Sequence, residues 1–300
     1  MNLLLKKKFK NKSNLYFRRM KIIQNKILKG FHSKPILTDI YYKENQTQKP
    51  VVIFCHGYKG FKNWGAWDLV AKAFTKQNFF FVKFNFSHNG GTVYQPIDFP
   101  DLEAFGHNNY IIELDDLQTV IDWLTTNAFY FKEEVDISDI TLIGHSRGGG
   151  IVTIKASEES KITKVISWAG VSDYKSRFPK QAELQKWGDK GVMYIENSRT
   201  NQLMPHFYQF YTSFMENEDR LTISRATSQL NIPHLIIHGD KDPTVPIQEA
   251  LNLHEWNPNS KLKIIEGADH VFGAKHPWET NILPEHLQKI VDLSINFAIN

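Results

Sequence analysis

Apolar residues along the chain fall into short runs separated by segments of helical period. Residues 51–55 form a continuous apolar run, residues 79–86, 140–144, 165–170, 234–239 and 262–265 read as further strands rich in β-branched and aromatic side chains, and residues 36–42 alternate more weakly. Between them, Trp67, Val70, Ala71 and Phe74 recur at helical spacing, as do Ile111, Leu114, Leu117, Ile121 and Leu124. Residues from 147 onward, 247–256 and 283–299 read as further helices. Continuous rather than alternating strands belong to a sheet buried on both faces. The alternation of strand and helix predicts an α/β fold, with a mostly parallel central sheet and helices on both sides.

Two segments leave this rhythm. Residues 172–229 are polar and aromatic, with Trp187, Tyr194, Phe207, Tyr208, Phe210, Tyr211 and Phe214, and read as a cap insertion of helices without a strand. Residues 1–30 read as a basic N-terminal extension without fixed structure, leaving 31–300 as one domain. The chain has a formal net charge of +4, but its first 19 residues carry +7, so the body is −3. A basic pI confined to a tail argues against a nucleic-acid-binding fold, which places a basic face within the domain. No apolar run follows the tail as a secretory signal would require, and none is long enough to span a membrane. The single cysteine, Cys55, lies inside an apolar run, so the expected setting is cytoplasmic.

The chemistry-bearing residues stand where strands end. Gly144-His145-Ser146-Arg147-Gly148 is a G-x-S-x-G pattern between a strand and a helix, the signature of a serine raised on a strained turn. Asp240 and Asp242 follow the strand at 234–239, and Asp269-His270 follows the one at 262–265. In a parallel sheet these ends share one edge, where ligands bind. Ser146, an aspartate and His270 can therefore converge. The other histidines have structural readings: His238 at the end of its strand, His56 and His145 organising loops, and His254 and His276 on the surface. Glu113, Asp115 and Asp116 read as a solvated helix face. No metal-binding pattern such as H-E-x-x-H is present, and no cofactor loop.

Together, His56-Gly57-Tyr58-Lys59-Gly60, Asn85-Phe86-Ser87-His88-Asn89-Gly90, Gly144-His145-Ser146-Arg147-Gly148-Gly149, His238-Gly239-Asp240-Lys241-Asp242-Pro243 and Gly267-Ala268-Asp269-His270 resemble the α/β-hydrolases. The resemblance is to their feruloyl/cinnamoyl esterase, dienelactone-hydrolase and acylaminoacyl-peptidase-like branches. It covers the chain from Ile36 onward. It implies an α/β-hydrolase fold with a helical cap and a catalytic triad of Ser146, Asp242 and His270, with Asp240 capping its turn. It also implies an oxyanion hole made by the backbone N–H groups of Tyr58 and Arg147. The function implied is a serine hydrolase acting on a small-molecule ester or acyl substrate, with no cofactor. A peptidase or thioesterase using the same triad, or a non-catalytic ligand-binding member, are the alternatives. The Arg147 and Lys59 side chains are expected to be solvated.

Overall fold

A computed structural model describes residues 19–131 and 133–300. The elements begin with β1 (Arg19–Leu28), β2 (Ile36–Glu44), β3 (Pro50–Cys55), α1 (Trp67–Lys76) and β4 (Phe80–Phe84). They continue with α2 (Leu102–Gly106), α3 (Tyr110–Thr126), β5 (Asp136–His145), α4 (Arg147–Glu158) and β6 (Ile162–Trp168). Then follow α5 (Gln181–Lys190), β7 (Val192–Asn197), β8 (Gln202–Phe207), α6 (Gln209–Glu216), α7 (Glu218–Leu221) and α8 (Ile223–Ser228). The chain closes with β9 (His234–Gly239), α9 (Ile247–Trp256), β10 (Lys261–Ile265) and α10 (Glu285–Ile299).

Eight strands form one sheet in the order β1-β2-β4-β3-β5-β6-β9-β10. The pairs β1–β2 and β2–β4 are antiparallel, and the rest are parallel. This is the α/β-hydrolase architecture expected from the sequence. Each strand sends alternate side chains to opposite cores. Val51, Ile53 and Cys55 of β3 join α3, α4 and α9 on one face. Val52 and Phe54 join α1 and α10 on the other. A strand buried on both faces has no polar side to alternate with, which is why these runs read as uniformly apolar.

The structure corrects two expectations. Part of the supposed extension, Arg19–Leu28, is an edge strand of the sheet, paired with β2 from Arg19↔Glu44 to Leu28↔Ile36. Lys21, Gln24, Asn25 and Lys26 are exposed along it, a polar composition suited to an edge and easily taken for a tail. Residues 1–18 lie outside the described residues. Between β6 and β9 the chain is not purely helical, since β7 and β8 form an antiparallel hairpin separate from the main sheet. Pro205 interrupts the strand signal of β8, a position tolerated in a two-stranded ribbon.

A buried ionic cluster fastens the loop after β3 to the sheet. Lys62 Nζ lies 2.7 Å and Lys83 Nζ 3.1 Å from Asp39 Oδ2, with all three side chains sealed from solvent. Lys83 also reaches Asp68 at 2.6 Å and donates to the Lys62 carbonyl at 2.9 Å. Among the described residues no helix is long and apolar enough to cross a membrane.

Candidate active site

β5 ends at His145, and Ser146 takes φ 57° and ψ −121° before α4 begins at Arg147. That left-handed conformation strains a residue with a Cβ, and the surroundings hold it in place. Ser146 N–H donates to Trp168 O at 2.9 Å, and its carbonyl accepts from Gly149 at 2.9 Å and Val171 at 3.2 Å. The turn is tight enough that a Cβ on Gly144 would stand 2.1 Å from Gly148 O, and one on Gly148 would stand 2.6 Å from Cys55 O. Only glycine at both positions lets strand, turn and helix approach this closely.

β9 and β10 run parallel in register, with Ile265 opposite Gly239, so the loops that follow them emerge side by side. There His270 Nδ1 donates to Asp242 Oδ2 at 2.7 Å. Asp242 Oδ1 accepts from the backbone N–H of Thr244 at 2.8 Å and Val245 at 2.9 Å. Burial would raise the Asp242 carboxyl, but hydrogen bonds from His238, His270 and Val245 outweigh it and hold the group well below the usual carboxylate range. Asp240 points elsewhere, accepting from Gly267 N–H at 2.6 Å and tying the two loops together. With Nδ1–H directed at Asp242, the His270 Nε2 carries the lone pair. His145 Nε2 donates to the His270 carbonyl at 2.8 Å, and burial holds the His145 imidazole neutral, its pKa pushed down to about 3. His238 donates to Val245 O at 2.8 Å, as expected of a structural histidine.

The loop after β3 lies against the serine. A Cβ on Gly57 would come within 2.8 Å of the Ser146 Cβ. The Gly57 carbonyl is held by His56 Nδ1 at 2.9 Å and by Gly60 N–H at 3.0 Å. In a trans peptide the C=O and N–H point in opposite directions, so the Tyr58 N–H is turned away from those partners. Neither Tyr58 N–H nor Arg147 N–H has a protein partner among the described residues, and the latter heads a helix whose first N–H groups have no intrahelical acceptor.

Ser146 borders two cavities. A cavity of about 120 Å³ is lined by His270, His145, Gly57 and Tyr58. A second of about 220 Å³ lies under the segment between β6 and β9, walled by Tyr110, Tyr174, Phe178 and Phe210 among others. Ser146 and His270 both line the smaller cavity, and no hydrogen bond joins them directly among the described residues. Such contacts are often long in unliganded enzymes and tighten with substrate.

Several side chains are less exposed than expected, the half-buried Lys59 and His254 among them. Arg147 is not solvated: its guanidinium lies 4.4 Å from the Tyr58 ring centre and 5.3 Å from those of Tyr110 and Phe210, and pairs with Glu113 at 3.3 Å. Glu113 and Asp116 are buried rather than on a solvated face. His276 is half-buried, accepting from Gly65 N–H at 2.9 Å. Sequence reasoning gave no role to His206, whose Nε2 is 2.7 Å from the Tyr58 hydroxyl, or to Tyr174, whose hydroxyl donates to Arg147 O at 2.9 Å. Both come from the segment without recognisable motifs, and no spacing marks them.

Known proteins resemble this chain in sequence and in fold. The non-heme chloroperoxidase CPO-A1 of Kitasatospora aureofaciens is 24% identical, the match covering 84% of this chain and 96% of that protein. Est1E of Butyrivibrio proteoclasticus superposes with a TM-score of 0.62 at 16% identity, over 91% of this chain and 97% of that one, and the esterase domain of a Rhodothermus marinus protein with 0.60 at 16%, over 93% and 98%. A dienelactone hydrolase from Anabaena variabilis gives 0.59 at 15% identity, over 94% and 97%. These structures share the α/β-hydrolase fold with this chain. The profile of the family described as BD-FAE matches residues 38–257, most of the chain and every loop named above except the one carrying His270, and this protein is a member of the BD-FAE family of α/β-hydrolases.

Proposed function

We propose that this protein is a serine hydrolase that cleaves a carboxylic ester through an acyl-enzyme. The observation that carries the reading is the 2.7 Å bond from His270 Nδ1 to Asp242, on the same sheet edge as a serine held at φ 57°. Ser146 Oγ attacks the ester carbonyl and gives its proton to His270 Nε2, while Asp242 fixes the tautomer and stabilises the imidazolium. The oxygen that becomes negative takes the N–H groups of Tyr58 and Arg147, which have no protein partner among the described residues. Collapse of the tetrahedral intermediate expels the alcohol, which takes the proton from His270. Water, deprotonated by the same Nε2, then releases the acid and restores Ser146. Membership of BD-FAE and structural likeness to an esterase domain and a dienelactone hydrolase support an ester as the substrate.

Short p-nitrophenyl esters test the proposal. The protein is expected to hydrolyse them with saturation kinetics, and Ser146→Ala to reduce turnover to the background rate. Equal turnover by the folded variant would contradict the assignment of the nucleophile.

A further inference from the structure

The larger cavity has an unusual charge pattern. Among the described residues its wall contains two arginines, Arg147 and Arg177, and no aspartate or glutamate. The carboxylates that pair with them, Glu113 and Glu249, do not border the cavity. Arg147 makes a single side-chain hydrogen bond, through one NH1 at 3.3 Å to Glu113, so most of its five N–H groups remain unused among the described residues. None of its nitrogens is both sealed from solvent and unpartnered. The guanidinium is held in position by the faces of Tyr58, Tyr110 and Phe210, whose negative π-clouds favour the cation without using its donors. A fixed, partly dehydrated guanidinium with free donors is a receptor for a carboxylate, which it meets as a two-pronged fork.

The position of the cavity indicates which half of an ester enters it. The leaving alcohol must depart beside His270, which protonates it, and His270 lines the smaller cavity and not the larger. The acyl half therefore extends from Ser146 into the larger cavity, along aromatic walls and toward the arginines.

We propose that Arg147 and Arg177 bind a distal carboxylate on the acyl half, so that the ester cleaved is a monoester of a dicarboxylic acid. Water and the monoester yield the dicarboxylate and the free alcohol. This inference rests on the hydrolase reading above and specifies its substrate class. Arg147 thereby serves the reaction twice, by its backbone N–H at the oxyanion and by its side chain at the far end of the acyl group. Arg177, anchored by Glu249 and by the Asp173 carbonyl at 3.2 Å, supplies the second positive charge.

The test compares p-nitrophenyl hydrogen adipate with p-nitrophenyl methyl adipate, which differ only in the distal charge. The wild-type kcat/KM ratio should favour the charged ester by about tenfold or more, as expected for a charge-assisted hydrogen bond. In Arg147→Gln combined with Glu113→Gln, which leaves no buried carboxylate unpaired, the ratio should fall by about 10–100-fold. Arg177→Gln, remote from that pair, should lower it several-fold and keeps the test open if the double variant does not fold. A wild-type preference for the neutral ester, or a ratio unchanged in the variants, overturns the proposal while leaving the hydrolase reading intact. Loss of turnover on both esters by wild-type protein, with no labelling by a fluorophosphonate, overturns both.

Discussion

Asp242 and Asp240 stand two residues apart in one loop, and their hydrogen bonds separate their roles. Asp242 meets His270 and two backbone N–H groups, whereas Asp240 clasps the neighbouring loop through Gly267. Asp242→Asn should retain the fold but disturb the His270 tautomer, lowering kcat by roughly 10³–10⁴, and His270→Ala should cost a similar factor. Asp240→Asn should leave kcat within a few-fold of wild type, measured on the same ester. The order serine, aspartate, histidine was legible because each follows a strand, but spacing alone could not choose between two aspartates in one loop. Helix periodicity misjudged Glu113 and Asp116, because the polar face of α3 packs on the loop after β4 and on Arg147. Asp116 accepts from Ser87 N–H at 2.7 Å, and burial pushes its pKa up to about 8. An unfolded aspartate titrates near 3.9, so the folded protein holds an extra proton between these values. Its stability should therefore fall as pH rises from about 4 to about 8. Asp116→Asn removes that dependence, and denaturant unfolding should find the variant gaining on wild type between pH 5 and pH 8. A constant difference across that range would contradict the assignment.

Among the elements, the turn from β5 into α4 carries most of the proposed catalytic geometry, and it depends on close backbone approach. An alanine in place of a helical glycine ordinarily stabilises a helix by about 1 kcal/mol. Gly148→Ala should do the reverse, destabilising by about 3 kcal/mol or more, since its Cβ would press on Cys55 O and His56 O. Thermal unfolding of the purified variant checks the sign. The loop after β3 has a comparable support in the Asp39 cluster. Asp39→Ala would leave Lys62 and Lys83 facing a vacated acceptor inside the protein, at a cost of about 3–5 kcal/mol in denaturant unfolding. Neither lysine stands out in the sequence, because nothing local distinguishes a buried lysine from an exposed one until the sheet order brings β2 and β4 together. The same limit applies to β1 and to the β7–β8 hairpin. An edge strand and a two-stranded ribbon are half-solvated, so neither produces the uniform apolar runs that made β3 and β5 legible.

At the scale of the whole molecule, one edge of the sheet gathers loops that begin after β3, β5, β9 and β10, while the segment between β6 and β9 walls the larger cavity. The parallel sheet follows from strand periodicity, and the placing of Ser146, Asp242 and His270 at one edge follows from the rule that parallel strands end together. The cavity does not, because its walls come from α3 and from the segment between β6 and β9, whose packing is tertiary. The proposed hydrolase depends above all on activation of Ser146 by this assembly. A fluorophosphonate reacts readily with an activated serine hydroxyl and hardly at all with an ordinary one, so peptide mass mapping after labelling, with the His270 variant alongside, tests the claim directly. One covalent adduct per chain is expected, located on Ser146, lost in Ser146→Ala and strongly slowed in His270→Ala. An unlabelled but folded protein, or an adduct on another residue, would contradict it.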